Sequence, residues 1–308
     1  MSGLSLIPIL IGCGLAMQTA VNAKLRTFVR SPYLASAISF ALGTVFLFIV
    51  TLATGINPFI SLQVIVIYPW WVWLGGLLGV IALTSNLLLF PKLGSVQTAV
   101  LPIFGEIITG VIIDRFGLFN SPQIQLTWLK IIGLAAVTIG MLLTNGLFHR
   151  GELALTTTKL WPWRCLGVIS GALLAMQTAI NGHLGVILNS SVHAALVSFV
   201  VGTCLLLIIV VMTWTPLAKI RGAIQAGGSY WWIWLGGLLG AAYVTTSAWL
   251  VPRLGTGQVV IIALFGQLLF SALIDQFGWF QSGTKRLTVW RVLGLVLMFI
   301  GIIGVHYV

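Results

Sequence analysis

Apolar runs recur along the whole chain, each close to the ~20 residues that a helix needs to cross a bilayer core. Short breaks carrying Pro, Gly, Ser or basic residues separate them. In the first half the runs fall near 4–23, 33–54, 70–90, 95–113 and 128–147. In the second they fall near 163–182, 192–213, 231–251, 256–274 and 289–307. Ser31-Pro32, Asn57-Pro58, Pro91, Ser121-Pro122, Pro216 and Pro252 mark breaks. The pattern predicts an all-α integral membrane protein with ten transmembrane helices. The first run lacks a basic leader and returns in mid-chain, so it reads as a membrane helix rather than a signal peptide.

The runs repeat in detail. Leu15-Ala-Met-Gln-Thr-Ala-Val-Asn22 returns as Leu174-Ala-Met-Gln-Thr-Ala-Ile-Asn181, with seven of eight residues identical. Trp71-Val-Trp-Leu-Gly-Gly-Leu-Leu-Gly79 returns as Trp232-Ile-Trp-Leu-Gly-Gly-Leu-Leu-Gly240, with eight of nine. Pro91-Lys-Leu-Gly94 returns as Pro252-Arg-Leu-Gly255, and Ile113-Asp-Arg-Phe-Gly-Leu-Phe119 as Ile274-Asp-Gln-Phe-Gly-Trp-Phe280. The offset is 159 early in the repeat and 161 later. Two units are expected, 1–148 and 163–308, joined by a linker over 149–162. Five spans per unit is an odd number, so the second unit must enter the membrane upside down. The expectation is two inverted-topology repeats of five.

Composition agrees with a lipid solvent. The 308 residues are 59% hydrophobic and only 6% charged, against roughly 25% charged in a soluble domain. Soluble enzymes, nucleic-acid modules and coiled coils are thereby excluded. The net charge of +11 is spread singly or in small groups between apolar runs, as orientation signals are. Of the 15 basic residues, Lys24, Arg26, Arg30, Lys92, Arg150, Lys159, Arg164, Lys219, Arg221, Lys285, Arg286 and Arg291 fall on one side. Only Arg115, Lys130 and Arg253 fall on the other. The richer side is cytoplasmic by the positive-inside rule. The linker is then cytoplasmic and both termini lie outside a bacterial inner membrane. The bias reverses between matching loops: three basic residues follow Asn22 and none follow Asn181, while the 55–69 loop has none and its copy carries Lys219 and Arg221. Inverted repeats require that reversal.

The two five-helix halves, with Ala-Met-Gln-Thr-Ala-X-Asn in the first helix and Trp-X-Trp-Leu-Gly-Gly-Leu-Leu-Gly in the third, resemble the YdcZ-like branch of the drug/metabolite transporter superfamily. The chain resembles a fused pair of its five-helix units over essentially its whole length. The resemblance implies a ten-helix inverted-repeat transporter without fixing its substrate. Ten-helix members elsewhere in the superfamily have cytoplasmic termini; the charge count here places them outside.

In such a transporter the site lies near the midplane, between the halves. Glu106 stands about mid-span in 95–113. A lone carboxylate there is stable mainly when protonated or paired with a bound cation, so it can bind protons or a cationic substrate. Its copy is Gln267, and the copy of Pro102, one turn earlier, is Ala263. Gln18 and Asn22 share a helix face, as do Gln177 and Asn181; inversion places one pair toward each mouth. Interhelical hydrogen bonding, worth ~0.6–2 kcal/mol per contact, explains the same amides. Ser39 and Ser198 lie on small-residue faces beside Gly43 and Gly202, where close packing is the simpler account. Gln97 and Gln258 open the Glu106 helix and its copy, where free N–H groups could hold an anion. Trp249 could wall the site and favour an organic cation. Thr84, Ser85 and Asn86, with Thr245, Thr246 and Ser247, read as hydroxyl and amide back-bonding. Asp114 and Asp275 end the fourth span of each half and read as helix-end caps or interface pairing. The clustered Trp residues form an interfacial belt.

Nothing in the chain suggests catalysis: no HExxH, GxSxG, P-loop or paired carboxylates within one span. Cys13, Cys165 and Cys204 form no metal or disulfide pattern, and no cofactor or metal is expected. The reading is a secondary transporter of a small metabolite or organic cation, working by alternating access, with proton-coupled export as the first direction. Its partners are a small-molecule substrate and the lipid bilayer, with no nucleic acid. A monomer suffices because both repeats sit in one chain. A passive channel and a membrane subunit of a larger complex are the alternatives.

Overall fold

The structure, a computed structural model, describes residues 3–145, 160–282, 284 and 287–306. Most of the linker, with Arg150 and Lys159, lies outside the described residues, as do Lys285 and Arg286. No strand occurs among the described residues. The first half folds into α1 (Gly3–Val29), α2 (Pro32–Ala53), a short α3 (Leu62–Ile67), α4 (Gly75–Phe116) and α5 (Trp128–Thr144). The second folds into α6 (Trp161–Ile187), α7 (Ser191–Met212), a short α8 (Ile220–Gln225), α9 (Gly236–Leu254), α10 (Thr256–Phe277) and α11 (Val289–His306). Six helical stretches among the described residues are long and apolar enough to cross a bilayer: Leu6–Val29, Pro32–Ala53, Trp161–Ile187, Ser191–Met212, Gly228–Leu254 and Thr256–Phe277. Gly75–Leu89, Trp128–Thr144 and Val289–Val305 are apolar but shorter.

Local chemistry sets the ends. Ser31 caps α2 through Leu34 N at 3.3 Å, and its copy Ser190 caps α7 through His193 N at 3.2 Å. Each side-chain oxygen satisfies a free N–H of the first turn. Pro32 follows at the first helical position of α2, where its missing N–H costs nothing. Several boundaries differ from the sequence expectation: α4 and α9 begin at Gly75 and Gly236, after 3-10 turns over Trp70–Trp73 and Gly228–Leu235, and α6 runs to Ile187 rather than ending near 182. Lys24 and Arg26 belong to α1, which runs on to Val29 rather than ending near residue 23. Pro91 does not end its helix. The chain stays helical and breaks at Gly94, with φ 74° and ψ 178°; its copy Gly255, with φ 87° and ψ 157°, separates α9 from α10. Proline's φ suits a helix, whereas the left-handed turn of the break is cheap only for glycine.

The halves interlock. α1 packs along α9 and α10, while α6 packs along α4. Gly12 lies against the Ala263 carbonyl, and its copy Gly171 against the Pro102 carbonyl. A Cβ at either would strike backbone, so glycine is what lets these helices touch. α2 meets α7 through their own counterparts: Phe40 stacks on Phe199 at 4.9 Å, and Thr44 Oγ1 lies 2.9 Å from Thr203 Oγ1. α5 meets α11 with Gly133 against Gly301 and Gly140 against Gly294. These particular contacts pair each residue with its own counterpart or recur in mirror positions, as in a self-complementary interface. Large apolar side chains such as Leu10, Ile49, Trp128 and Val211 are exposed on the outer surface, suited to lipid.

Candidate substrate-binding site

A cavity of about 590 Å³ lies between the halves, walled by α1, α2, α4, α6, α7, α9 and α10. Of the expected site residues it gathers Gln18, Asn22, Glu106, Gln177, Asn181, Ser198 and Gln267. Glu106, on the second segment of α4, is 7% exposed. No other carboxylate lines the cavity among the described residues. The polar side chains lining the cavity with Glu106 are mostly amides and hydroxyls, with Arg26 at one end. Pro102 offers no N–H to the carbonyl of Thr98, one turn before it; both residues line the wall.

The amide pairs differ between halves. Asn181 Oδ1 accepts a hydrogen bond from Ser198 Oγ at 2.5 Å, and both are buried. Asn22 Oδ1 and Gln18 Oε1 are buried without a hydrogen-bond partner among the described residues. Burying such acceptors unpaired costs free energy, so a donor-rich ligand between them would gain it back.

Four expected residues lie elsewhere. Ser39 is buried beside Gly236, behind the Asn22 wall. Gln97 Oε1 accepts from Arg164 Nε at 3.2 Å. Gln258 lines a separate pocket of about 40 Å³ next to Asp114. Trp249 is exposed, and its ring carries the Arg253 guanidinium 4.2 Å from the centroid. The sequence reading did not pick out Tyr243, Arg26 and the stacked Phe40 and Phe199 as site residues, yet they line the cavity. Tyr243 lines the same cavity as Glu106. Its copy is Ala82, so the Tyr/Ala difference, like Glu/Gln, was a visible break in the repeat. Asn86 and Ser247 also line the wall; Asn86 Oδ1 accepts from Ser170 Oγ at 2.7 Å rather than back-bonding along its own helix.

The two ends are unlike. At the α1–α2 end the lining reaches exposed Ala23 and Arg26. At the α6–α7 end it stops at Asn181 and Ser198. Beyond them Trp71 stacks on His183 at 5.4 Å and meets Phe119 edge-on at 5.5 Å. Asn120 Nδ2 lies 3.0 Å from His183 Nε2 and donates to it.

A family model described as "Putative inner membrane exporter, YdcZ" matches the chain twice, over residues 3–143 and 162–304. The chain belongs to the YdcZ family. Membership and the long apolar helices make it a multi-pass membrane protein of the transporter class. No curated protein sequence matches this YdcZ chain. A solved structure described as "Crystal structure of protein" is similar over 99% of this chain and 96% of its own, with 15% identity and a TM-score of 0.69. At that identity the likeness concerns the fold alone.

Proposed function

We propose that this YdcZ-family chain is a secondary transporter with ten spans in two inverted five-helix repeats, moving a small organic cation or cationic metabolite by alternating access. One observation carries the reading: a single carboxylate, Glu106, stands among unpaired amide oxygens in a cavity between the halves that reaches the surface at one end. A lone carboxylate in that setting needs a proton or a cation. Exchange of one for the other couples their movement. The reciprocal contacts between halves support the inverted repeat, because an alternating-access cycle exchanges the roles of two equivalent ends. The basic-residue asymmetry supports external termini and a cytoplasmic linker. The open end beside Arg26 then faces the cytoplasm.

The test is a binding screen of the purified full chain with guanidinium, ethylammonium and tetramethylammonium, followed by counterflow of any ligand in sealed liposomes. Saturable counterflow is expected; a flux that rises without saturation would identify a channel. A cytoplasm-only fluorescent reporter fused after Val308 should stay dark, and a bright one would overturn the orientation.

A further inference from the structure

Asp114 and Asp275 close the fourth segment of each half in the same sequence setting, each followed two residues later by Phe and then by Gly with φ 64°. Their surroundings differ. Asp114 accepts hydrogen bonds from Thr256 N at 2.7 Å, Gly257 N at 2.8 Å and Ser121 Oγ at 3.1 Å. Ser121 Oγ also lies 3.0 Å from Thr256 Oγ1. The carboxylate thus grips the first turn of α10 across the interface between halves. A Cβ on Gly255 would stand 2.7 Å from Asp114 Oδ2, whereas one on its copy Gly94 would meet nothing within 4 Å. Asp275 is instead paired with Arg291 Nη1 at 2.7 Å. That pair uses one arm, and Arg291 Nε is buried without a hydrogen-bond partner among the described residues. The copy of Arg291 is Lys130, whose Nζ donates to the Gln125 carbonyl at 3.3 Å.

The engaged aspartate and the closed end coincide. Asp114 precedes Phe119 and Asn120, which pack on Trp71 and His183. Asp275 precedes Phe280, which packs on Trp232, at the end where the cavity reaches Ala23 and Arg26. We infer that Asp114 and Asp275 are alternate latches of the transport cycle, a claim that rests on the alternating-access reading. Asp114 holds one end shut by capping α10. In the opposite state it releases Thr256 and Gly257, and Asp275 leaves Arg291 to cap the backbone N–H groups of residues 95 and 96, at the turn after Gly94. The latches are unequal. Gly110 approaches Gly257 closely, with a Cβ on Gly110 only 2.9 Å from Gly257 Cα; the matching positions are Ser271 and Val96. Ser271 is bulkier than the Gly110 it matches, so the second latch closes less tightly and the protein is biased toward the Asp114-latched state.

The test uses the full chain with Cys13→Ser, Cys165→Ser and Cys204→Ser, and a single reporter thiol from Ala23→Cys or Asn181→Cys, labelled with a charged maleimide. In the parent, Ala23→Cys should label fast and Asn181→Cys slowly. Asp114→Asn should speed labelling at 181 at least about fivefold and slow it at 23. Arg291→Gln should move both rates in the same directions with Asp114 intact, because it frees Asp275. It decides the matter if Asp114→Asn fails to run as a single peak on gel filtration. Rates at 181 that neither substitution changes, with a reciprocal response of the two sites to added cation, would overturn the latch alone. Fast labelling of both sites in the parent would overturn alternating access and the latch with it.

Discussion

The two ends of the cavity are built from matching sequence and packed differently. At one end Trp71, Phe119, His183 and Asn120 fill the space beyond Asn181. At the other the same places are held by Trp232, Phe280, Lys24 and Gln281. There Trp232 and Phe280 still meet at 5.5 Å, but Lys24 has moved off the indole, lying 5.4 Å from the Tyr230 centroid and 5.6 Å from that of Phe28. A neutral imidazole stacks flat on an indole and accepts an amide N–H; a lysine does neither. Near-identical helices are therefore packed in two arrangements, and the His183/Lys24 difference between the repeats goes with them.

Several substitutions should break or sharpen this contrast, the largest effect coming from the interlocked glycines. Gly75→Val drives a side chain into Asn181 and Ser198, and Gly236→Val drives one into Asn22 and Ser39. Overpacking of this kind costs ~1–3 kcal/mol. Gly75→Val should lower the thermal midpoint more, because Asn181 is fixed by Ser198 while Asn22 Oδ1 has no bond to lose. Equal losses would mean that the two ends are equally tight. Next, Trp71→Ala removes the stack on His183 and the edge contact with Phe119. Aromatic pairs contribute ~0.5–1.5 kcal/mol each beyond area burial, so thiol labelling at Asn181→Cys should rise roughly tenfold. Trp232→Ala should leave labelling at Ala23→Cys nearly unchanged, since that end is already open. The smallest effect is expected from the serines. Ser198→Ala gives up one hydrogen bond, about 0.5–1.5 kcal/mol, whereas Ser39→Ala should shift the midpoint less. A larger shift from Ser39→Ala would reverse the assignment of the tighter end.

Much of the architecture was legible because the bilayer forces long apolar helices and the repeat marks equivalent positions. The intramembrane Glu106 was legible for the same reason, since a charge in lipid is too costly to be incidental. Pairing between helices was not. The offset of 159 makes Gly12 and Gly171 equivalent positions, but does not say that their partners are α10 and α4 of the other half. The break at Gly94 was misplaced to Pro91 because proline is an audible signal and a positive φ is silent in sequence. Trp249 was expected to wall the cavity and instead covers Arg253 on the exterior; its helix face is decided by neighbours the sequence does not name. Arg26 reads in the sequence only as an orientation signal, because the apolar run of the first span ends before it.

Glu106 carries the central claim, and one titration tests it most directly. Purified wild type and Glu106→Gln are mixed with guanidinium, ethylammonium or tetramethylammonium in weakly buffered detergent, and ligand binding and proton release are measured together across pH. The mutant copies what Gln267 already provides in the second half, so it should fold and remain monodisperse. Cation and proton compete for one carboxylate, so wild type should release protons on binding, and its affinity should weaken as pH falls. Glu106→Gln should release none and lose at least about tenfold in affinity, with a flat pH profile. Equal affinity and equal proton release in the two proteins, or no binding of any of these cations by wild type, would contradict the account.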